Sequence, residues 1–407
     1  MTAKGLINSQ ELFVSRVLFT LAIILIIRFG IFVPIPEIDQ QYLFIAMKKN
    51  PTLSMLSAFS QGDFFVLGLF SLGILPNINA SIIMQLITTA NKGLQKLQKE
   101  EGSAGRKKIT QITRYLTLGI AVLYSVPIAY FAKPFIFNWG LITAVEIVVA
   151  LVTGAMIVLW FSELITEKGI GNGPSLFICI GIISALPTTI QNILNSVNFV
   201  SLALLLFFIS IIIVGIIFVQ EATRVIPILS AKQLLDETSN PNPDFLPFRL
   251  NQGGVMPIIF SSTILAGFSV LGNLDFFQKF PVVFSGLYFS VYFLSILFFS
   301  YFYSTIVVDP TNLAEDLNKM AVSIPGIRPG TQTKLYLEKT LNRLAILGGL
   351  FLAGMAILPN IISFFAQTNA LRGFGSTSLI ILVGAAIDIS RQVRTLLIYE
   401  IYNDMVK

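Results

Sequence analysis

Apolar residues in this chain come in long runs, without the alternation of a half-buried strand or the stripe of a soluble amphipathic helix. Ten runs reach or approach the roughly 20 residues a helix needs to cross a bilayer core. They fall near 17–33, 65–90, 115–131, 141–164, 174–190, 199–219, 255–271, 282–308, 341–365 and 377–397. An even number of crossings puts both termini on one side. The segment 51–61, PTLSMLSAFSQ, is small-residue-rich and amphipathic but too short to span at about 1.5 Å per residue, so it is expected to lie at the surface or re-enter. Backbone that breaks at membrane depth survives only against protein or a water-filled cavity.

Composition confirms the class and narrows the chemistry. Of 407 residues, 55% are hydrophobic and only 12% charged, against about 25% charged in soluble domains, which makes this an integral membrane protein. Its zero histidines exclude HExxH zinc sites, Ser-His and Cys-His nucleophiles and imidazole relays. Cys179, the one cysteine, sits in an apolar stretch and reads as a small buried hydrophobe. The net charge of +6 is small for this length and argues weakly for nucleic acid; its placement says more.

Apart from Arg28, Lys48, Lys49, Lys133, Lys279 and Arg372, every Lys and Arg lies in the tails, in the loops after spans two, four, six and eight, or at span ends beside them. The positive-inside rule therefore assigns both termini to the cytosolic or equivalent side. Lys4 and Arg16 flank a first span without a small-residue cleavage site, so the N-terminus is expected to remain. Charges of this kind can serve orientation alone. Here the loops 91–114, 220–252 and 309–340 are long or strongly charged on one face, which suits docking of a large partner through phosphate or carboxylate contacts.

Polar punctuation inside the spans is unusual for plain anchors: GILPNINAS at 73–81 sits in the second, and GIGNGP at 169–174 opens the fifth. Asn77, Asn79 and Gln85 serve either interhelical hydrogen bonds or a helix lining a polar path. Arg28, near the outer end of the first span, is of a length to snorkel and receives no role. Asp388 raises an aspartyl intramembrane protease, but no second carboxylate in a like setting pairs with it; loss of a proteolytic activity in Asp388→Asn would mark such an enzyme. Halves of five spans with opposite topology permit an inverted repeat with a site or pore between them.

Taken in order, GILPNINASIIMQ at 73–85, EGSAGRKKITQITRY at 101–115, GIGNG at 169–173, QEATRVIP at 220–227, LNQGGVMP at 250–257, Phe302-Tyr303 and IPGIRPG at 324–330 resemble the SecY family of protein-translocation channels over nearly the whole chain. The resemblance implies an all-α polytopic membrane protein with ten transmembrane helices in two inverted five-helix halves, 1–198 and 199–407, around an hourglass pore with a lateral gate. It makes 51–61 a plug, with Leu53, Met55, Leu56 and Phe59 as its apolar residues. Position by position, the pore ring becomes Ile74, Ile78, Ile178, Ile259 and Ile381. Ile74 and Ile78 are four apart and share a helix face, and branched aliphatic side chains at a constriction exclude ions by dewetting.

Arg328 matches the family's cytosolic arginine that engages ribosome or motor, and Arg106, Lys107 and Lys108 belong to the second docking loop. Implied partners are SecE and SecG-type subunits, the SecA motor or the ribosome, translocating polypeptides with their signal sequences, and membrane lipid. No cofactor or metal is implied. Pro174 and Asn77 depart from the family's usual residues, although a proline in a helix's first turn is well tolerated. The stretch LQKLQKEE at 94–101 looks like the cyanobacterial and plastid branch, and abundant Ile, Phe and Asn suit an AT-rich organellar genome. A plastid thylakoid membrane is thus expected, with a bacterial plasma membrane as the alternative.

The chain lacks a GxxxxGK[ST] motif and any catalytic constellation, so the expected activity is a passive polypeptide channel driven by a partner rather than an enzyme. A secondary transporter of inverted-repeat type competes, but it needs polar contacts at the bilayer midplane, where few charges fall.

Overall fold

A computed structural model describes residues 3–43, 67–91, 93–94, 97, 102–196, 199–230, 244–271, 281–365 and 376–406. Its elements are α1 (Ala3–Phe32), α2 (Leu75–Ala90), α3 (Gly102–Ala132), α4 (Leu141–Lys168), α5 (Gly173–Ser196), α6 (Phe199–Glu221), β1 (Thr223–Ser230), β2 (Asp244–Arg249), α7 (Met256–Leu271), α8 (Pro281–Val307), α9 (Pro310–Lys319), β3 (Val322–Ser323), α10 (Thr331–Phe365) and α11 (Ser376–Val406). Among the described residues each of the ten apolar runs overlaps a helix, the second only from Leu75. Among the described residues five stretches are long and apolar enough to cross a membrane, Val14–Phe32, Ala104–Phe135, Leu141–Lys168, Gly286–Lys319 and Thr331–Pro359, and shorter apolar helices occupy Gly173–Pro187, Leu206–Glu221 and Met256–Leu265.

The chain divides into two compact units, residues 1–188 with 385–407, and residues 189–384. In the first unit the burial pattern of α1 shows what its solvent is: Thr20, Ile23 and Ile27 are buried, while Leu18, Leu21, Leu25, Phe29 and Phe32 on the other side are exposed. An apolar stripe of that size is an aggregation liability in water and ordinary against lipid. In α4, likewise, Ile147, Leu151, Ala155 and Val158 face the core and Leu141, Val145, Val149 and Trp160 do not.

The core of this unit gathers Ile35, Ile38, Leu43, Leu67, Leu72, Ala121, Ala129, Phe135, Ile147 and Leu151. A clasp of short bridges, Pro34 with Gly68 and Ile38 with Ile136, is closed by Gln40, which donates to the Leu67 carbonyl at 3.1 Å and accepts from the Leu67 amide at 3.2 Å. Close approach depends on small residues. A Cβ on Gly154 of α4 would lie 1.8 Å from the Leu69 carbonyl oxygen, so only hydrogen fits.

The second unit pairs α8 with α7 and α10, and sets a three-stranded sheet, order β2-β1-β3, against α9 and the start of α10. One hydrophobic core of this unit is Ile226, Phe248, Ala314, Leu317, Ile324, Leu337, Leu341 and Leu344. The sheet is an addition to the all-helical expectation. β1 and β2 pair antiparallel from Thr223 with Arg249 to Ile228 with Asp244. Pro227 is accommodated in the middle strand because β3 pairs only with Leu229 and Ser230, leaving the proline one neighbour. Asp309 caps α9, its side chain accepting from the Thr311 amide at 3.0 Å, with Pro310 in the first turn.

Candidate functional site

The predicted second span differs from a plain crossing helix. Residues 67–74 are turns, largely buried, and α2 is helical only from Leu75, a length of 16 residues or about 24 Å. That is shorter than the roughly 30 Å hydrocarbon thickness, and the non-helical lead-in is covered by protein, as backbone at membrane depth must be. Gly73 makes the turn at φ +52°, and Pro76 occupies the first turn, where its missing N–H costs nothing. Ile74 and Ile78 come out on one face, both buried, linked by the first helical bond from the Ile78 amide to the Ile74 carbonyl at 3.1 Å.

The asparagines of α2 turn to α3. Thr117 Oγ1 donates to Asn77 Oδ1 at 3.4 Å, and Asn79 Nδ2 donates to the Tyr124 hydroxyl at 2.6 Å. Interhelical bonding is therefore what both do here, and Asn77 in its departure from the family pattern has a partner in the helix bundle.

In the second unit α7 starts in the same way. Gly254 holds φ +60°, the helix begins two residues later at Met256, and Pro257 follows at the third residue, as Pro76 follows Gly73. Ile78 and Ile259 then occupy the same place, five residues after their glycines, and Ile259 also closes the first helical bond, to the Val255 carbonyl at 3.3 Å. The signal was in the sequence: GILPNI at 73–78 and GVMPII at 254–259 share G-x-x-P-x-I, too short to stand out without the matching backbone. Ile259 is buried.

Ile381 on α11 is buried too, and one turn further on, a Cβ at Gly384 would lie 2.3 Å from Val255 Cγ2. α11 thus meets the first turn of α7 with no room for a side chain.

Ile178 on α5 is partly buried beside the buried Cys179. Pro174 lies in the first turn of α5, which continues to Ser196. The corner before it is held by polar contacts: Gly173 N–H donates to Thr166 Oγ1 and Ile170 N–H to Thr20 Oγ1 of α1, each at 3.0 Å. The plug segment 51–61, with Leu53, Met55, Leu56 and Phe59, lies outside the described residues.

The basic residues are placed outward. Arg106, Lys107 and Lys108 are exposed on the first turns of α3, so this part of the segment expected to be a docking loop is a helix. Three consecutive helical residues fan out at about 100° each and do not form a single face. Arg328 is exposed in the turn between β3 and α10, whose base is anchored by the buried Ile324 and Thr333; Thr333 Oγ1 donates to the Arg328 carbonyl at 3.0 Å. The arginine is presented by a packed platform rather than a loose loop. Sequence reasoning missed Arg114, whose Nε and Nη2 donate to the two carboxylate oxygens of Glu163 at 2.9 and 2.8 Å and tie α3 to α4. Among the described residues no group of His, Cys, Asp and Glu is arranged to hold a metal ion.

A model of the SecY family matches residues 68–390 of the chain. The chain belongs to the SecY family. It is 44% identical to the protein translocase subunit SecY of Guillardia theta over 98% of both chains, and 46% identical to that of Porphyra purpurea over 97% of this chain and 98% of the relative. The SecY subunit of Synechocystis is 43% identical over 97% and 94%. The fold is similar to a solved protein-conducting channel, with a TM-score of 0.64 and 14% identity over 96% and 94% of the two chains. A TM-score of 0.60, at 15% identity and the same coverage, relates it to Sec61 in a canine ribosome-channel complex from the endoplasmic reticulum. The chain is a mostly helical, multi-pass integral membrane protein of this channel fold.

Proposed function

We propose that the chain is the pore-forming subunit of a Sec translocon, conducting unfolded polypeptides across the membrane and releasing hydrophobic segments sideways into lipid. The observation that carries the reading is the repeated helix start: in a SecY-family chain, the same glycine-turn, proline and isoleucine stand at 73–78 and at 254–259, one in each unit. That repetition supports two inverted halves, 1–198 and 199–407, each offering a buried isoleucine one turn into a helix. The ring is then Ile74, Ile78, Ile178, Ile259 and Ile381, apolar and branched, sealing by dewetting and yielding to a passing chain without polar traps. Segment 51–61 is proposed as the plug.

The channel is passive. It works with SecE and SecG-type subunits and takes its energy from SecA or a ribosome; similarity to Sec61 in a ribosome-channel complex supports the ribosome. Arg328 on its platform, with Arg106, Lys107 and Lys108, forms the docking side, on which both termini lie. Relatives from plastid-bearing algae and from cyanobacteria support a thylakoid membrane with that side stromal.

Photocrosslinking tests the pore. A photoreactive residue at Ile78 is expected to capture a translocation-arrested polypeptide, while one at the exposed Ile83 of the same helix is not. An engaged substrate without a product at Ile78 overturns the ring.

A further inference from the structure

Arg28 lies in the apolar part of α1, between the buried Ile27 and the exposed Phe29, where a guanidinium is costly unless its donors are met. It is partly buried, and Nη2 donates to the carbonyl oxygen of Ile180 on α5. A carbonyl oxygen has two lone pairs, so Ile180 can accept this bond and its helical one together. A charge-assisted bond is about twice as strong as a neutral one, more so away from water. Eight residues earlier on α1, Thr20 Oγ1 accepts from the Ile170 amide at the corner before α5. The bonds follow in the same order along the chain, Thr20 then Arg28, Ile170 then Ile180, so α1 and α5 run in one direction where Arg28 bridges them. The bonds are about 12 Å apart on α1.

We propose that Arg28 is a positioning residue: its bond to Ile180 ties α5 to α1 and so fixes where Ile178, two residues earlier, presents its side chain. Thr20 secures the corner; Arg28 secures the helix beyond it. The role of Ile178 rests on the channel reading above, whereas the tie between the two helices does not.

Cys179, the one cysteine of the chain, lies between Ile178 and Ile180 and is buried at 8% exposure, which makes it a native reporter. In the full chain reconstituted in liposomes, Arg28→Gln is expected to speed Cys179 modification by a small methanethiosulfonate reagent at least about tenfold, the equivalent of ~1.4 kcal/mol in the opening equilibrium. Arg28→Lys, which keeps the charge, is expected to recover part of the protection. Rates in Arg28→Gln equal to wild type overturn the tie. A photoreactive residue at Ile180, with Arg28 intact, is expected to capture the α1 peptide that carries Arg28, and absence of that product overturns the contact whatever the variants' stability. Resting ion conductance separates the two readings: faster Cys179 labelling with raised conductance supports both, and faster labelling with unchanged conductance keeps the tie and removes Ile178 from the ring.

Discussion

At the scale of single residues, the chemistry of a seal is a matter of what water does next to a side chain. Ile78 and Ile381 are buried aliphatic residues, 5% and 9% exposed, and each stands near a constrained glycine, Gly73 five residues before the first and Gly384 three residues after the second. Asparagine is close in size at either position but carries donors and acceptors that retain water. Ile78→Asn and Ile381→Asn are therefore expected to raise resting ion conductance in proteoliposomes and to let weakly hydrophobic signal sequences open the channel more readily. Unchanged leak and unchanged signal stringency in both variants count against the ring. Asn77 offers a contrast one residue away: its side chain is engaged by Thr117 across to α3, so a polar residue on that face of α2 serves the bundle and not a seal.

At the scale of elements, what hydropathy could and could not disclose follows from what it measures. Runs of apolar residues mark helices that face lipid, and the stretches at 141–164 and 199–219 emerge as Leu141–Lys168 and Phe199–Glu221. Polar extensions escape it: α3 begins at Gly102, thirteen residues before its predicted span, since charged residues in a helix outside the membrane carry no apolar run. The sheet escaped for another reason. In β1 and β2 the alternation is interrupted by Pro227 and Pro247, and the strands become legible only when Ile226 and Phe248 are seen packed on α9 and α10. The pairs that fix helices against each other are not legible at all, since Arg114 and Glu163 are 49 residues apart and nothing local marks them as partners. Their bidentate bond is partly exposed, at 48% and 26% of the two side chains, so its value is that of a screened surface pair. A double-mutant cycle with Arg114→Gln and Glu163→Gln, read by thermal unfolding in detergent, is expected to give a coupling of about 0.5–1 kcal/mol that shrinks at high salt. A coupling above about 2 kcal/mol would mean the pair is more desolvated than its exposure indicates.

For the molecule as a whole, the decisive asymmetry is electrostatic. Basic side chains crowd the loops that carry Arg106 and Arg328, while the opposite loops hold few, among them Lys133, whose ammonium lies 6.0 Å from the ring of Tyr130 and 5.7 Å from that of Trp139. Aromatic rings around a lysine at a helix end are the signature of a membrane interface, and they place Lys133 at the edge where α3 hands over to α4. Arg328 is exposed in the turn beside the hydrophobic core of the sheet, α9 and the start of α10. The positive-inside expectation assigns the two residues to opposite faces, and cysteines there test it in a Cys179→Ala background. In sealed vesicles oriented with the face that binds the driving partner outward, a membrane-impermeant thiol reagent is expected to modify Arg328→Cys at once and Lys133→Cys only after permeabilisation. Modification of both from outside would place them on one face and would break the alternation of spans on which opposed halves, a central constriction and a docking surface on the positive side all depend.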